Sequence, residues 1–166
     1  EISLGSSPIK NASLMVDPDG ELRLAYGSDI DDEEAWKVFL RQGESWKLLS
    51  KTDEYKGRLI PQAFVLNEEA IIIKDNIETD TEALYHFNLE SGKKTLLYKH
   101  PYVDVGDLEV DYVKGTDNTK AYLAGVWVEP DYKTFIPLSD ESEHNRMLFA
   151  LQAQFPEHVV EITSET

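Results

Sequence analysis

The chain has no cysteine, which excludes disulfide staples, thiol nucleophiles and thiolate metal sites. Basic residues are scarce: 16 Lys and Arg stand against 32 Asp and Glu, for a formal net charge of −16. A field of that sign repels phosphate backbones and anionic lipid surfaces, so nucleic acid is not an expected partner. Long apolar runs are also missing. The densest, Ala70-Ile71-Ile72-Ile73, falls far short of the roughly 18 residues that a membrane span requires. The start Glu1-Ile2-Ser3 carries neither Met nor a basic n-region, as expected of a soluble chain that has been processed or cut from a longer gene product.

Catalytic signatures are equally sparse. The nucleophile elbow Gly-x-Ser-x-Gly does not occur; Gly5-Ser6-Ser7 and Gly27-Ser28-Asp29 both lack the closing glycine and read as turn serines. His86, His100, His144 and His158 are too far apart for a metal-binding pair such as His-Glu-x-x-His, and each reads as a solvated or hydrogen-bonded side chain. Asp17-x-Asp19-Gly20 has the beginning of a calcium loop, but Glu21-Leu22-Arg23-Leu24 follows. Without further oxygen ligands at regular steps, the tetrapeptide Asp17-Pro18-Asp19-Gly20 reads as a hairpin turn. The run Asp29-Ile30-Asp31-Asp32-Glu33-Glu34 reads as a solvated acidic loop. A phosphate-cradling glycine loop and a basic patch with interleaved aromatics are absent. Asn11-Ala12-Ser13 is a glycosylation sequon that matters only on a eukaryotic secretory route. With so many acidic residues some carboxylate pair must lie at a glycosidase-like separation, so a stand-alone carboxylate enzyme is a third and weakly supported reading. The sequence assigns no catalytic, cofactor-binding or metal-binding residue.

What is present is a core and a rhythm. The 166 residues are 41% hydrophobic and include 3 Trp, 8 Tyr and 6 Phe, which suits one globular domain. Period-two alternation predicts strands at Ala12-Ser13-Leu14-Met15-Val16, Leu22-Arg23-Leu24-Ala25-Tyr26, Trp36-Lys37-Val38-Phe39-Leu40 and Trp46-Lys47-Leu48-Leu49, with Gln42-Gly43-Glu44 closing the last hairpin. The plan repeats at residues 60–65, Ile71-Ile72-Ile73-Lys74, Ala83-Leu84-Tyr85-His86-Phe87 and Thr95-Leu96-Leu97-Tyr98, with turns at Asn67-Glu68-Glu69 and Ser91-Gly92-Lys93. Ile71 stands 49 residues after Leu22, Val65 49 after Val16, Phe87 48 after Phe39 and Gly92 49 after Gly43.

A third copy begins at Leu108-Glu109-Val110-Asp111-Tyr112, with Tyr122 standing 51 residues after Ile71. It runs on through the stretch from Ala121 to Val128 and then residues 132–136. Where a fourth strand is due, Ser139-Asp140-Glu141-Ser142 opens a helix over residues 140–155. His144, Met147, Leu148, Leu151 and Phe155 fall on one face, and Pro156 stops it. Residues 158–163 read as a strand that opens a further unit.

A self-similar four-stranded unit of about 40 to 50 residues is the signature of a β-propeller blade. The expectation is an all-β fold: a partial propeller of about three four-stranded blades (11–50, 59–99, 107–137) with one helix near the C-terminus. Since 166 residues hold only about three and a half units and closed propellers typically have 4 to 8 blades, the chain reads as part of a larger ring. Its cut edges are expected to pair with another copy as an edge-mediated homodimer, or to rearrange.

Three phrases carry a resemblance. They are Asp32-Glu33-Glu34-Ala35-Trp36-Lys37-Val38-Phe39 with Trp46-Lys47-Leu48-Leu49; the run from Thr81 to Lys93 containing Leu84-Tyr85-His86-Phe87 and Ser91-Gly92-Lys93; and His100-Pro101-Tyr102-Val103-Asp104-Val105. With the helix ending in Phe155-Pro156, they resemble the N-terminal propeller of bacterial prolyl oligopeptidase family enzymes of the dipeptidyl aminopeptidase or acylaminoacyl peptidase type. The resemblance runs from about residue 11 to 163. It implies a parent serine peptidase in which the propeller covers an α/β-hydrolase domain and restricts the site to short peptides. That family's catalytic residues lie in the hydrolase domain, so none maps onto this chain, and the compartment, bacterial cytoplasm or periplasm, stays open. The alternative is a protein-binding or scaffold propeller with no hydrolase attached.

Overall fold

A computed structural model describes residues 6–32, 35–53, 56–66, 68–114, 119–140 and 142–162, with side chains described outside 111–122. Gly5, Glu33, Glu34, Asn67, Glu141 and Thr163, singled out above, lie outside the described residues. The chain divides into two compact units, Glu1–Tyr98 and Lys99–Thr166.

The first unit holds two antiparallel meanders of the same connectivity. Strands β1 (Ser13–Val16), β2 (Leu22–Asp29), β3 (Ala35–Gln42) and β4 (Ser45–Thr52) lie in sequence order in one sheet. Strands β5 (Leu59–Phe64), β6 (Ala70–Asp75), β7 (Ala83–Asn88) and β8 (Lys94–Tyr98) do the same in the next. The turns follow from their residues. Gly43, at φ +62°, is the first of two residues between Gln42 and Ser45, the mirror-image turn whose twist matches the strands it joins and which L side chains resist. Asp17 closes its own turn: its Oδ1 accepts the N–H groups of Asp19 at 3.1 Å and Glu21 at 2.9 Å.

The two sheets share one core of Leu24, Val38 and Leu40 from the first and Leu59, Ile71, Ile73 and Phe87 from the second. Trp36 reaches across and donates from Nε1 to the Leu59 carbonyl at 2.8 Å, and the Arg58 guanidinium lies 5.2 Å over its ring. The hydrogen-bonding phase of each sheet identifies the face it contributes. Gln42 and Ser45 flank a two-residue turn and so form a bonded pair, which directs the backbone groups of Leu40, two residues earlier, toward β4. Asn88 donates to Lys93 on the β8 side, so the backbone of Phe87 points the other way, to β6, where Ile71 is its partner. In equivalent strands running the same way, opposite backbone phase means opposite side-chain face. The sheets therefore meet front to back, not like face to like face. With Ala25 opposite Phe39 and Ile71 opposite Phe87, matching the two phenylalanines sets Ile71 on Ala25 and not on Leu22 as the repeat spacing suggested; each sheet also carries a bulge in its first ladder, at Met15/Val16 and at Pro61/Ala63.

The second unit holds a sheet of order β11-β10-β9, from β9 (Leu108–Lys114), β10 (Thr119–Val128) and β11 (Thr134–Pro137), and the helix α1 (Glu143–Gln154). Three strands followed by a helix is the order expected of the third copy, so among the described residues its sheet has three strands and not the four of a full blade. Ser142 caps the helix, its Oγ accepting from the Asn145 N–H at 3.1 Å. The buried helical residues are His144, Asn145 and Leu148, while Met147 and Phe155 are exposed. This corrects the expected apolar face: the helix turns a partly polar side inward because Asn145 Nδ2 donates to the Ala124 carbonyl at 2.8 Å and the Ser139 carbonyl at 2.7 Å. Residues 158–162, expected to open a further unit as a strand, lie in no ladder. A strand exists only with a bonded neighbour, and none pairs with this segment among the described residues. No helix of the described residues is long and apolar enough to cross a membrane.

Candidate functional site

Among the described residues the first unit carries a cleft of about 260 Å³ where the β1–β2 and β5–β6 turns come together, lined by Asp17, Asp19, Arg23, Phe64, Glu68 and Glu69 among others. Arg23 spans it. Its Nη1 lies 3.3 Å from Asp17 Oδ2 and its Nη2 2.8 Å from Glu69 Oε2, so one guanidinium ties a turn of the first sheet to a turn of the second. Glu68 completes the rim by pairing with His86 Nε2 at 2.9 Å. Both oxygens of Asp17 are thereby engaged, one by its turn and one by Arg23, and the hairpin is the role its geometry fills. The lining carries carboxylates, a guanidinium and apolar walls, with no hydroxyl or amine nucleophile among its residues. Such a surface can hold, orient or repel a ligand by charge and shape.

The acidic run is no free loop. Asp29 and Asp32 both pair with Lys37, the first at 2.8 Å, and Asp32 also meets Lys51 at 2.6 Å. The Lys37 ammonium, then that of Lys51, holds the Asp32 carboxyl down to about 2 from its ordinary 3.8. Lys37 is also the main cause of the lowered Asp29 value, and Lys37 is itself raised, by Asp29 and then Asp32. The cluster fastens the β2–β3 connection to the sheet.

The remaining candidates are dispersed. Ser7 donates to the Ile9 carbonyl at 2.7 Å, and Ser28 lies within β2 opposite Trp36. His100 Nδ1 accepts from the N–H groups of Tyr102 and Val103, and His144 packs 5.8 Å from the Phe135 ring. His158 stands edge-on to Phe155, and Asn11, before β1, is exposed at φ +57°. Sequence reasoning missed Arg23 and Lys37 as organising cations. Each sits among alternating strand residues, and the carboxylate that gives Arg23 its meaning, Glu69, is 46 residues away. The scarcity of cations was the available signal, since a lone basic residue in an acidic chain draws several partners.

No family model matches the chain, and no curated protein and no solved structure gives a match.

Proposed function

We propose that this chain is the propeller portion of a prolyl oligopeptidase family serine peptidase: a non-catalytic gate that controls the entry of short peptides to an α/β-hydrolase domain outside this chain. The observation that carries the propeller half is the front-to-back stacking of two equivalent four-stranded meanders. Sheets in a sandwich bury their inner faces against each other and need no third. Front-to-back sheets each keep a face to offer, which is how blades continue around an axis. The peptidase half rests on the resemblance in the three phrases around Trp36, Leu84 and His100. A gate works by steric exclusion and field and needs no reacting group; a chain of net charge −16 supplies the field, and turn-to-turn clamps such as Arg23 with Glu69 supply a rigid rim.

The test is hydrolysis of short aminoacyl and peptidyl chromogenic substrates by this chain and, side by side, by the complete product of its gene, with a serine-directed covalent inhibitor as control. Cleavage by the complete product alone, abolished by the inhibitor, is the expected result. Cleavage by this chain overturns its non-catalytic role. Cleavage by neither removes the peptidase and leaves a binding or scaffold propeller.

A further inference from the structure

In the second unit, the backbone of β10 alternates in a phase that can be read directly. Trp127 donates to the Asp107 carbonyl at 2.9 Å and accepts from Gly106 at 2.7 Å, both on the β9 side, and Leu138 donates to Ala124 at 2.8 Å on the β11 side. Across β10 and β11 the bonded pairs are then Val126 with Ile136 and Val128 with Thr134, whereas Trp127 with Phe135 is the non-bonded pair. The N–H and C=O of Phe135 accordingly point away from the sheet, toward the place that β4 and β8 fill in the first two sheets.

Beside that edge is a cavity of about 250 Å³ with Trp127, Phe135 and Phe149 in its walls. After the helix the chain turns at Pro156, held by Gln152 Nε2 donating to the carbonyls of Phe155 at 3.1 Å and His158 at 2.7 Å. It then comes back along the cavity, whose lining includes Val159 and Val160. Lys133, at the head of β11, bonds Glu161 Oε1 at 2.8 Å, while its ammonium sits 4.5 Å over the Trp127 ring. Exposure along the segment alternates as in a strand: Val159 and Glu161 are exposed, Val160 and Ile162 half-buried.

We infer that residues 159–162, which make no backbone hydrogen bond to β11 in the structure, can close onto its open edge as a detachable fourth strand of the third sheet, antiparallel and in the register Lys133 opposite Glu161, Thr134 opposite Val160 and Phe135 opposite Val159. The ion pair of Lys133 with Glu161 favours that register, in which Phe135 and Val159 form a bonded pair and the outward backbone groups of Phe135 would meet those of Val159. A strand in this position guards an edge that otherwise invites another chain. It also closes one side of the aromatic cavity, as a strap whose anchor is Lys133 with Glu161.

Nuclear magnetic resonance on the intact chain tests this. The expected result is an Hα–Hα contact between Thr134 and Val160, the non-bonded pair, and an amide at Phe135 that exchanges about tenfold more slowly than in Val159→Pro, where loss of the Val159 N–H leaves the Phe135 carbonyl without its donor and opens the pair. The Ile136 amide, bonded to β10, stays equally protected in both and reports that the sheet is intact. Should Val159→Pro disturb the sheet as well, charge reversal decides: Lys133→Glu speeds exchange at Phe135, and the double change with Glu161→Lys restores it. Equal exchange at Phe135 in the parent and in Lys133→Glu overturns the inference. So does Phe135 protection that grows with protein concentration, because the edge is then covered by a second copy.

Discussion

In the first unit two sheets hide Leu24, Val38, Ile71 and Ile73 completely from solvent, and the side chains that meet between the sheets are almost all hydrocarbon. In the second unit a three-stranded sheet is covered by one helix whose buried residues, apart from Leu148, are His144 and Asn145. The first cover gains free energy in proportion to apolar area; the second relies on a few directed hydrogen bonds from Asn145 and a cap from Ser142. Area tolerates small errors of position, and directed bonds do not. The two units should therefore respond differently to the same kind of damage.

The largest separation is expected from truncating the apolar core. Ile73→Ala should cost about 2–5 kcal/mol in urea denaturation, and Leu148→Ala less, because only one helix packs there; equal losses would erase the contrast. Gly125→Ala attacks the second unit from the opposite direction. A Cβ at Gly125 would overlap the Phe135 ring and the Ile136 carbonyl, so displacement of that ring at a cost of about 1–3 kcal/mol is expected, visible in the fluorescence of Trp127, 5.1 Å from Phe135.

Asp75 is the polar exception in the first unit: it is 2% exposed, accepts from the Ile77 N–H at 2.7 Å and pairs with Lys94 at 2.7 Å. Asp75→Ala should cost about 1–3 kcal/mol by stranding those donors, measurable as a lower urea midpoint with an unchanged slope. Ser142→Ala, which removes one cap from the helix, should cost about 1 kcal/mol and should loosen the second unit alone, as read by amide exchange.

The smallest effect expected is electrostatic. Asp32 and Asp29 have carboxyls held below the ordinary 3.8, so their contribution is complete above that value and is lost as pH falls toward about 2. Lys37, raised above 10.5, contributes fully below that value and loses its contribution as pH rises through its folded-state value. Acid unfolding of Lys37→Met should begin at higher pH than in the parent; coincident acid limbs would remove the cluster from the stability argument.

Strand positions were readable because patterning is a property of neighbours: the strands of the described residues fall on stretches of apolar alternation or, at Ala70–Ile73, on a dense apolar run, and the turns at Asp17 and Gly43 follow from residues that accept few other conformations. The helix was readable from the run Ser139 to Ser142, with its start expected at residue 140 and found at Glu143, capped by Ser142. Its buried face was readable only in part: His144 and Leu148 of the expected stripe are buried, but Met147 and Phe155 are exposed, and Asn145 is drawn inward by carbonyls at Ala124 and Ser139 that only folding brings near. The segment at 158–162 has strand character without a bonded strand, since pairing depends on an edge elsewhere in the chain. In the cleft, Asp17 was visible as a turn former, but its union with Arg23 and Glu69 crosses two sheets and 46 residues of sequence separation.

Front-to-back stacking has an arithmetic of its own. A like-to-like interface is saturated by two members and stops. An unlike one is head to tail: each added member consumes one vacancy and creates another, so the series ends only by curving round to its own beginning, or it grows without limit. A tandem duplication of such a unit carries both halves of its interface from the first generation, and the size of the assembly is then governed by the angle between neighbours rather than by the strength of any contact. The outward face of the first sheet, with Leu14, Val16 and Leu48 exposed, is where such a series would gain its next member.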